Sequence, residues 1–131
     1  MTGETGSYRF MAPEVFRHEA YGRPVDVYSF SMITYNMLVG EPPWPELPGP
    51  EAAQAAAHHS SRPDVPRHWD AKLGTLLRMC WADNPSARPS FAAVLEVLND
   101  VFKQTTGTSF EDDLQRATRA AVAGSGCCLL M

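Results

Sequence analysis

The sequence has no basic excess. Its 131 residues carry 11 lysines and arginines against 15 aspartates and glutamates, a formal net charge of −4. Proteins that grip the phosphate backbone of nucleic acids normally show the opposite balance, which argues against that function class. Cysteine is scarce: there are three, with Cys80 alone in an apolar run and Cys127 and Cys128 side by side. An odd count without framework spacing does not make a secreted disulfide scaffold; a reducing, cytoplasmic setting fits better. The first residues show no charged-then-apolar signal pattern. A long uninterrupted apolar run is also missing. The best stretch, Val25 to Val39, is broken by Asp26, Ser29, Ser31, Thr34 and Asn36, and is too short and too polar to span a bilayer.

What is present is a globular composition. With 44% hydrophobic residues, the chain can bury a core without disulfide staples, as one domain or part of a larger one. Proline is abundant at 11 residues, and seven of these fall between Pro42 and Pro66, so no long ordered element crosses that interval.

Read for elements, the chain is all-α with long structured loops. Residues 1–11 have no period. Pro13 opens a short helical turn, where proline is tolerated. From Val25 to Val39 the apolar residues cover nearly the whole circumference of a helix, which belongs at the centre of a fold, and Gly40 ends it. An Ala-rich helix is expected over Glu51–His59. Asp70 caps a helix over Ala71–Trp81, with Leu73, Leu76, Leu77 and Cys80 on one face. Ser90 caps the next, whose face is Phe91, Val94, Leu95, Leu98, Val101 and Phe102. Thr105–Ser109 reads as a linker, Phe110–Val122 as a weak amphipathic helix, and Ala123–Met131 as a flexible tail. Trp44, Trp69 and Trp81 are expected to pack, Met32 and Met37 to fill core gaps, and Cys80 to be a buried apolar residue. The adjacent His58 and His59 face different directions on a helix with no third ligand in view, so no metal site is expected.

Four segments carry a resemblance. Thr5-Gly6-Ser7-Tyr8-Arg9-Phe10-Met11-Ala12-Pro13-Glu14 resembles the end of a protein-kinase activation segment, with its Ala-Pro-Glu signature. Asp26-Val27-Tyr28-Ser29-Phe30 is similar to the start of that family's central helix, and Gly40-Glu41-Pro42-Pro43-Trp44 to the loop after it. Cys80-Trp81-Ala82-Asp83-Asn84-Pro85-Ser86-Ala87-Arg88-Pro89-Ser90-Phe91 is similar to the loop holding the family's late arginine. The order and spacing are right. The resemblance covers residues 1–103 as a partial kinase domain, the helical C-terminal lobe, and leaves 104–131 as an extension. The wording of the motifs is most similar to the tyrosine-kinase-like, Raf-like Ser/Thr kinases. The Pro-Ile/Val-Lys/Arg-Trp character of true tyrosine kinases is missing.

The resemblance implies roles. Glu14 and Arg88 would form a buried ion pair tying the activation segment to the lower lobe. Asp26, otherwise readable as a helix-dipole partner, would support the catalytic loop by accepting its backbone N–H groups. Ser7 would help hold the substrate hydroxyl. Tyr8, Arg9 and Phe10 would shape the platform for the residue after the acceptor. Thr5 and Thr2 lie where an upstream activating kinase would place phosphates, each adding about −1.5 to −2 of charge. The implied activity is ATP- and Mg²⁺-dependent phosphorylation of a protein substrate. The sequence has no Gly-rich loop, no Val-Ala-Ile-Lys strand, no His-Arg-Asp and no Asp-Phe-Gly. In this family those parts precede Ala-Pro-Glu, so the chain is expected to be a fragment starting within the activation segment, inactive alone. The alternative is a pseudokinase remnant that binds partners.

The last residues, Cys128-Leu129-Leu130-Met131, fit the C-a-a-X prenylation pattern, with terminal Met favouring farnesyl. Cys127 would take a palmitoyl group as the second signal that stable membrane association needs.

Overall fold

The computed structural model describes residues 7–128, with side chains to Ser125. Every regular element among them is helical. A 3₁₀ turn, Tyr8–Phe10, precedes α1 (Pro13–Phe16), α2 (Pro24–Val39), α3 (Gly49–His58) and α4 (Ala71–Cys80). A second 3₁₀ turn, Pro85–Ala87, leads to α5 (Phe91–Thr106) and α6 (Phe110–Cys128). The chain divides into two compact units, Met1–Val94 and Leu95–Met131, with the boundary inside α5.

In the first unit, local chemistry sets the helix ends. Pro24 sits in the first turn of α2, where its missing N–H costs nothing. Gly40 ends the helix in the left-handed conformation at φ 84°, its N–H donating to the Asn36 carbonyl at 2.9 Å, a geometry that favours glycine. The Asp70 carboxylate accepts from the N–H groups of Lys72 (2.8 Å) and Leu73 (3.3 Å) and so starts α4. Ser90 does the same for α5 through the Ala93 N–H, at 3.2 Å.

The core gathers Ala12, Tyr28, Met32, Leu77 and Trp81, with Phe10, Tyr35, Trp44 and Trp69 packed against it. Tyr35 contributes two ring contacts, 6.1 Å from Trp69 and 6.0 Å from Trp81. The alanine face of α3 (Ala52, Ala53, Ala56, Ala57) is buried, and α3 packs on α1 and the first 3₁₀ turn. Small side chains are what let these backbones approach.

The central-helix expectation holds for only one face of α2. Val27, Tyr28, Ser31 and Met32 are buried, whereas Ile33, Leu38 and Met37 are exposed, the last by 70%. Met37 therefore fills no core gap. The reason is geometric: α4 and the two 3₁₀ turns pack on α2, the Phe91 ring of α5 reaches Phe30 at 5.7 Å, and Ile33 and Met37 are left to solvent. Likewise Leu95, expected on the inner face of α5, is 58% exposed.

The second unit holds the end of α5 and all of α6. Gly107, at φ 78°, closes α5 by donating to the Lys103 carbonyl at 2.8 Å. Phe110 packs on Phe102, ring centroids 4.6 Å apart. Ser109 and Asp112 form a reciprocal capping box: the Asp112 N–H donates to Ser109 Oγ (3.1 Å) and the Ser109 N–H to the Asp112 carboxylate (3.2 Å). The hydrogen bonds from Ser109 hold the Asp112 carboxyl below its ordinary pKa. Started this firmly, the helix runs past Val122 to Cys128, so the segment expected as a flexible tail is helical that far. No described helix is long and apolar enough to cross a membrane.

Candidate functional site

Glu14 lies in the first turn of α1 and is 1% exposed. Arg88 follows the Pro85–Ala87 turn and is also buried. The structure brings them together as a two-pronged pair: Nη1 to Oε1 at 2.7 Å and Nη2 to Oε2 at 2.9 Å. The remaining donors of Arg88 are used as well, Nε on the Ala82 carbonyl at 2.9 Å and Nη1 on that of Pro24 at 3.1 Å. One guanidinium thus joins α1, the start of α2 and the connection to α5. Its planar fork is what permits this; a lysine could not do it. Burial is the largest single influence on Glu14 and acts to raise its pKa. The hydrogen bond from Arg88, a backbone hydrogen bond and the charges of Arg88 and Arg17 together outweigh it, and the carboxyl is held below its ordinary value.

The 3₁₀ turn before α1 is anchored from two other sides. Arg9 sends its guanidinium into the proline-rich loop, donating to the carbonyls of Pro43 (2.9 Å), Trp44 and Leu47. Ser29 of α2 donates its hydroxyl to the Phe10 carbonyl at 2.8 Å. Phe10 is half-buried against the core. Tyr8 meets Phe16 edge to face at 6.5 Å, and Phe16 meets His58 of α3 in the same way at 5.9 Å. Ser7 is exposed where the turn begins, its carbonyl accepting from the Phe10 N–H. An open cleft of about 310 Å³ lies beside it, lined by Ser7, Phe10, Met11, Val25 and Ser29 among others. Asp26 is exposed in the first turn of α2. Thr2 and Thr5 lie outside the described residues. Cys127 and Cys128 close α6, and their side chains also lie outside what is described.

Sequence reasoning missed Arg62. It donates to the carbonyls of Trp81 (2.7 Å) and Ala56 (3.0 Å) and to the Asp83 carboxylate (2.6 Å). Both it and Arg88 lie over the Tyr28 ring, the two Cζ atoms 5.3 and 5.1 Å from its centroid. An arginine in a proline-rich loop carries no signal for such a role. The buried Tyr28 hydroxyl has no hydrogen-bond partner among the described residues, and burial pushes its pKa up to about 12. Burial likewise pushes the Cys80 thiol up to about 11, the behaviour of an inert structural cysteine. Among the described residues no group of three or more His, Cys, Asp or Glu side chains could hold a metal ion.

Comparison with known proteins matches this sequence to one family. Residues 1–98 match the family described as protein tyrosine and serine/threonine kinase. The serine/threonine-protein kinase VIK of Arabidopsis thaliana is 46% identical over 104 residues, covering 77% of this chain and 23% of that protein. The serine/threonine-protein kinase STY17 of the same plant is 39% identical over 104 residues, covering 79% and 18%. The serine/threonine/tyrosine-protein kinase HT1 is 38% identical over 96 residues, covering 73% and 25%. The chain thus spans a quarter or less of the length of these relatives. The match covers the 3₁₀ turn, the ion pair and the core helices alike, and its helical architecture is that of a kinase C-terminal lobe: the chain belongs to the protein kinase family.

Proposed function

We propose that the chain is the substrate-facing part of a Ser/Thr protein kinase, working within a longer protein that supplies the ATP and Mg²⁺ sites and the catalytic base. The observation that carries this is the anchoring of Tyr8–Phe10. Arg9 on one side and the Glu14–Arg88 pair on the other hold this short turn to the lobe, as a platform for a peptide must be held if the acceptor is to meet the reacting phosphate. In this reading Ser7 touches the substrate hydroxyl and Asp26 accepts from the catalytic loop. Tyr8 and Phe10 shape the platform, with Arg9 as its positioning residue. Thr5, and secondarily Thr2, receive the phosphates of an upstream kinase.

The test is phosphate transfer from ATP to a Ser- or Thr-containing protein. The purified 131-residue chain is expected to show none, and the same chain joined to a kinase catalytic half is expected to show it. Turnover by the chain alone would overturn the reading.

A second reading, a non-catalytic module that recruits a partner, is favoured by one observation, the exposed apolar face of α2 with Ile33 and Met37. Failure of the joined protein to transfer phosphate while binding partners through that face would select it.

In a protein that ends at Met131, Cys128 would take a farnesyl group, with Cys127 as the palmitoyl site that would complete a membrane anchor. Labelling with a farnesyl analogue should mark the wild type and not Cys128→Ser; an unlabelled wild type overturns it.

A further inference from the structure

A second cleft, of about 400 Å³, opens where the start of α2, the Pro85–Ala87 turn and the start of α5 meet. It shares no lining residue with the Tyr8–Phe10 turn. Its walls are three prolines, Pro24, Pro85 and Pro89, with Val27 and Phe91. Val27 is buried, while the Phe91 ring is 43% exposed and stands edge to face against Phe30 at 5.7 Å. A half-exposed aromatic in a concave apolar wall suits a bound group better than a surface left to water.

The walls are fixed before anything binds. Arg88 donates to the Pro24 carbonyl at 3.1 Å while gripping Glu14, and so ties the start of α2 to the Pro85–Ala87 turn. The Asn84 side chain accepts from the Ser86 N–H at 3.0 Å, and Ser90 Oγ accepts from the Ala93 N–H at 3.2 Å. Proline side chains have no rotamers to lose. Little ordering cost therefore remains on this side of an encounter, which favours affinity from a small contact.

The charge of the lining decides what the cleft would select. It contains two cations, Arg23 and Arg88, and no acid. Arg88 is saturated by Glu14 and by the carbonyls of Ala82 and Pro24. Arg23 is exposed, and its guanidinium has no acceptor among the described residues. Arg9, Arg17 and Arg62, by contrast, are each bound to acceptors of their own chain. An uncompensated cation beside an apolar cleft sets the sign of the complementary group, which is a carboxylate.

We propose that this cleft docks an acidic segment of a partner protein. One aromatic or leucine side chain enters between Phe91 and the prolines, and Arg23 takes the carboxylate of a neighbouring Asp or Glu. A segment flanked by lysine or arginine meets Arg23 as a like charge and is disfavoured. The cleft recruits its partner without using any residue of the Tyr8–Phe10 turn, so it stands or falls independently of the platform reading.

The test uses the 131-residue chain and fluorescent peptides identical except at two adjacent positions: Phe-Glu, Phe-Gln, Phe-Lys or Ala-Glu. Phe-Glu is expected to bind about tenfold tighter than Ala-Glu, the discrimination an apolar pocket supplies. It should bind about three- to fivefold tighter than Phe-Gln, which is what an exposed ion pair contributes, and Phe-Lys should bind more weakly than Phe-Gln. Arg23→Ala is at an exposed position and should keep the fold, checked by circular dichroism, while Phe-Glu and Phe-Gln become equal. Ser86→Trp, at an exposed position of the lining, should fill the cleft and weaken Phe-Glu by about tenfold or more. A peptide with photoreactive benzoylphenylalanine in place of Phe should label the segments 23–27 and 85–91. Equal binding of all the peptides, binding of none, tighter binding of Phe-Lys, or a preference that survives both variants overturns the inference. So does self-association of the chain that Ser86→Trp abolishes while no peptide binds, which would give the cleft to a second copy.

Discussion

The guanidinium of Arg88 covers the face of Tyr28 while gripping Glu14, so one side chain closes both an ion pair and the roof of the core. Removing one partner leaves a buried charge without compensation. Glu14→Gln or Arg88→Met is expected to lower the unfolding free energy by about 3–5 kcal/mol. The double variant should cost clearly less than the two single losses added, because no lone charge remains. Urea unfolding of the four proteins checks this; additive losses would mean that the pair is not coupled.

The same pair makes stability depend on pH. The folded pKa of Glu14 lies below its ordinary value of 4.5. The unfolded chain therefore binds the proton more readily, and stability rises with pH. The contribution is full above about pH 4.5 and is lost as pH falls through the folded value. Glu14→Gln should flatten the acid limb of a plot of Tm against pH relative to wild type. An unchanged limb would show that other carboxylates dominate.

Tyr28 separates packing from polarity. Its ring is fully buried and its hydroxyl has no partner among the described residues, so the hydroxyl is buried at a cost. Tyr28→Phe is expected to leave stability unchanged or to raise it by up to about 1 kcal/mol. Tyr28→Ala should lose about 3–5 kcal/mol through the cavity it opens. A large loss in the Phe variant would reveal a bound water or another partner at that hydroxyl.

Arg9 bridges carbonyls of Pro43, Trp44 and Leu47. Arg9→Ala should loosen the proline-rich loop, seen as faster amide exchange at residues 44, 46 and 47, and cost about 1.5–3 kcal/mol for the charged hydrogen bonds lost. Arg9→Lys should rescue little, because an ammonium cannot span this set of carbonyls as the planar fork does.

In the second unit, Ser109→Ala removes one half of the capping box. A loss of about 1 kcal/mol is expected, together with less helical signal and faster exchange in the first turns of α6. Unchanged exchange there would mean that the Phe110–Phe102 contact alone starts the helix.

Much of the helical frame is legible in the sequence because caps are local chemistry. Pro24, Gly40, Asp70 and Ser90 each act on backbone groups within four residues, so their effect can be read without the fold. The extension of α6 to Cys128 was less legible. Gly124 and Gly126 lower helix propensity, and the capping box that commits the helix was concealed in a run read as linker. Leu95 of α5 fits an apolar stripe by its spacing, yet only packing could decide that it stays exposed.

The sequence by itself determined that the chain is helical, where most helices begin and end, and, through four ordered motifs, which family it resembles. The tertiary structure alone decided which side of α2 is buried, because a helix apolar all round has no preferred face until neighbours arrive. It also decided the arginines. Arg9, Arg62 and Arg88 find carbonyls up to 64 residues away along the chain. Every residue carries a carbonyl, so no pattern of side chains can announce which ones a guanidinium will take. With few basic residues to spend, the chain commits these three, and Arg17 through the Ala57 carbonyl, to holding its own loops in place, and the turn that carries Tyr8 owes its position to that.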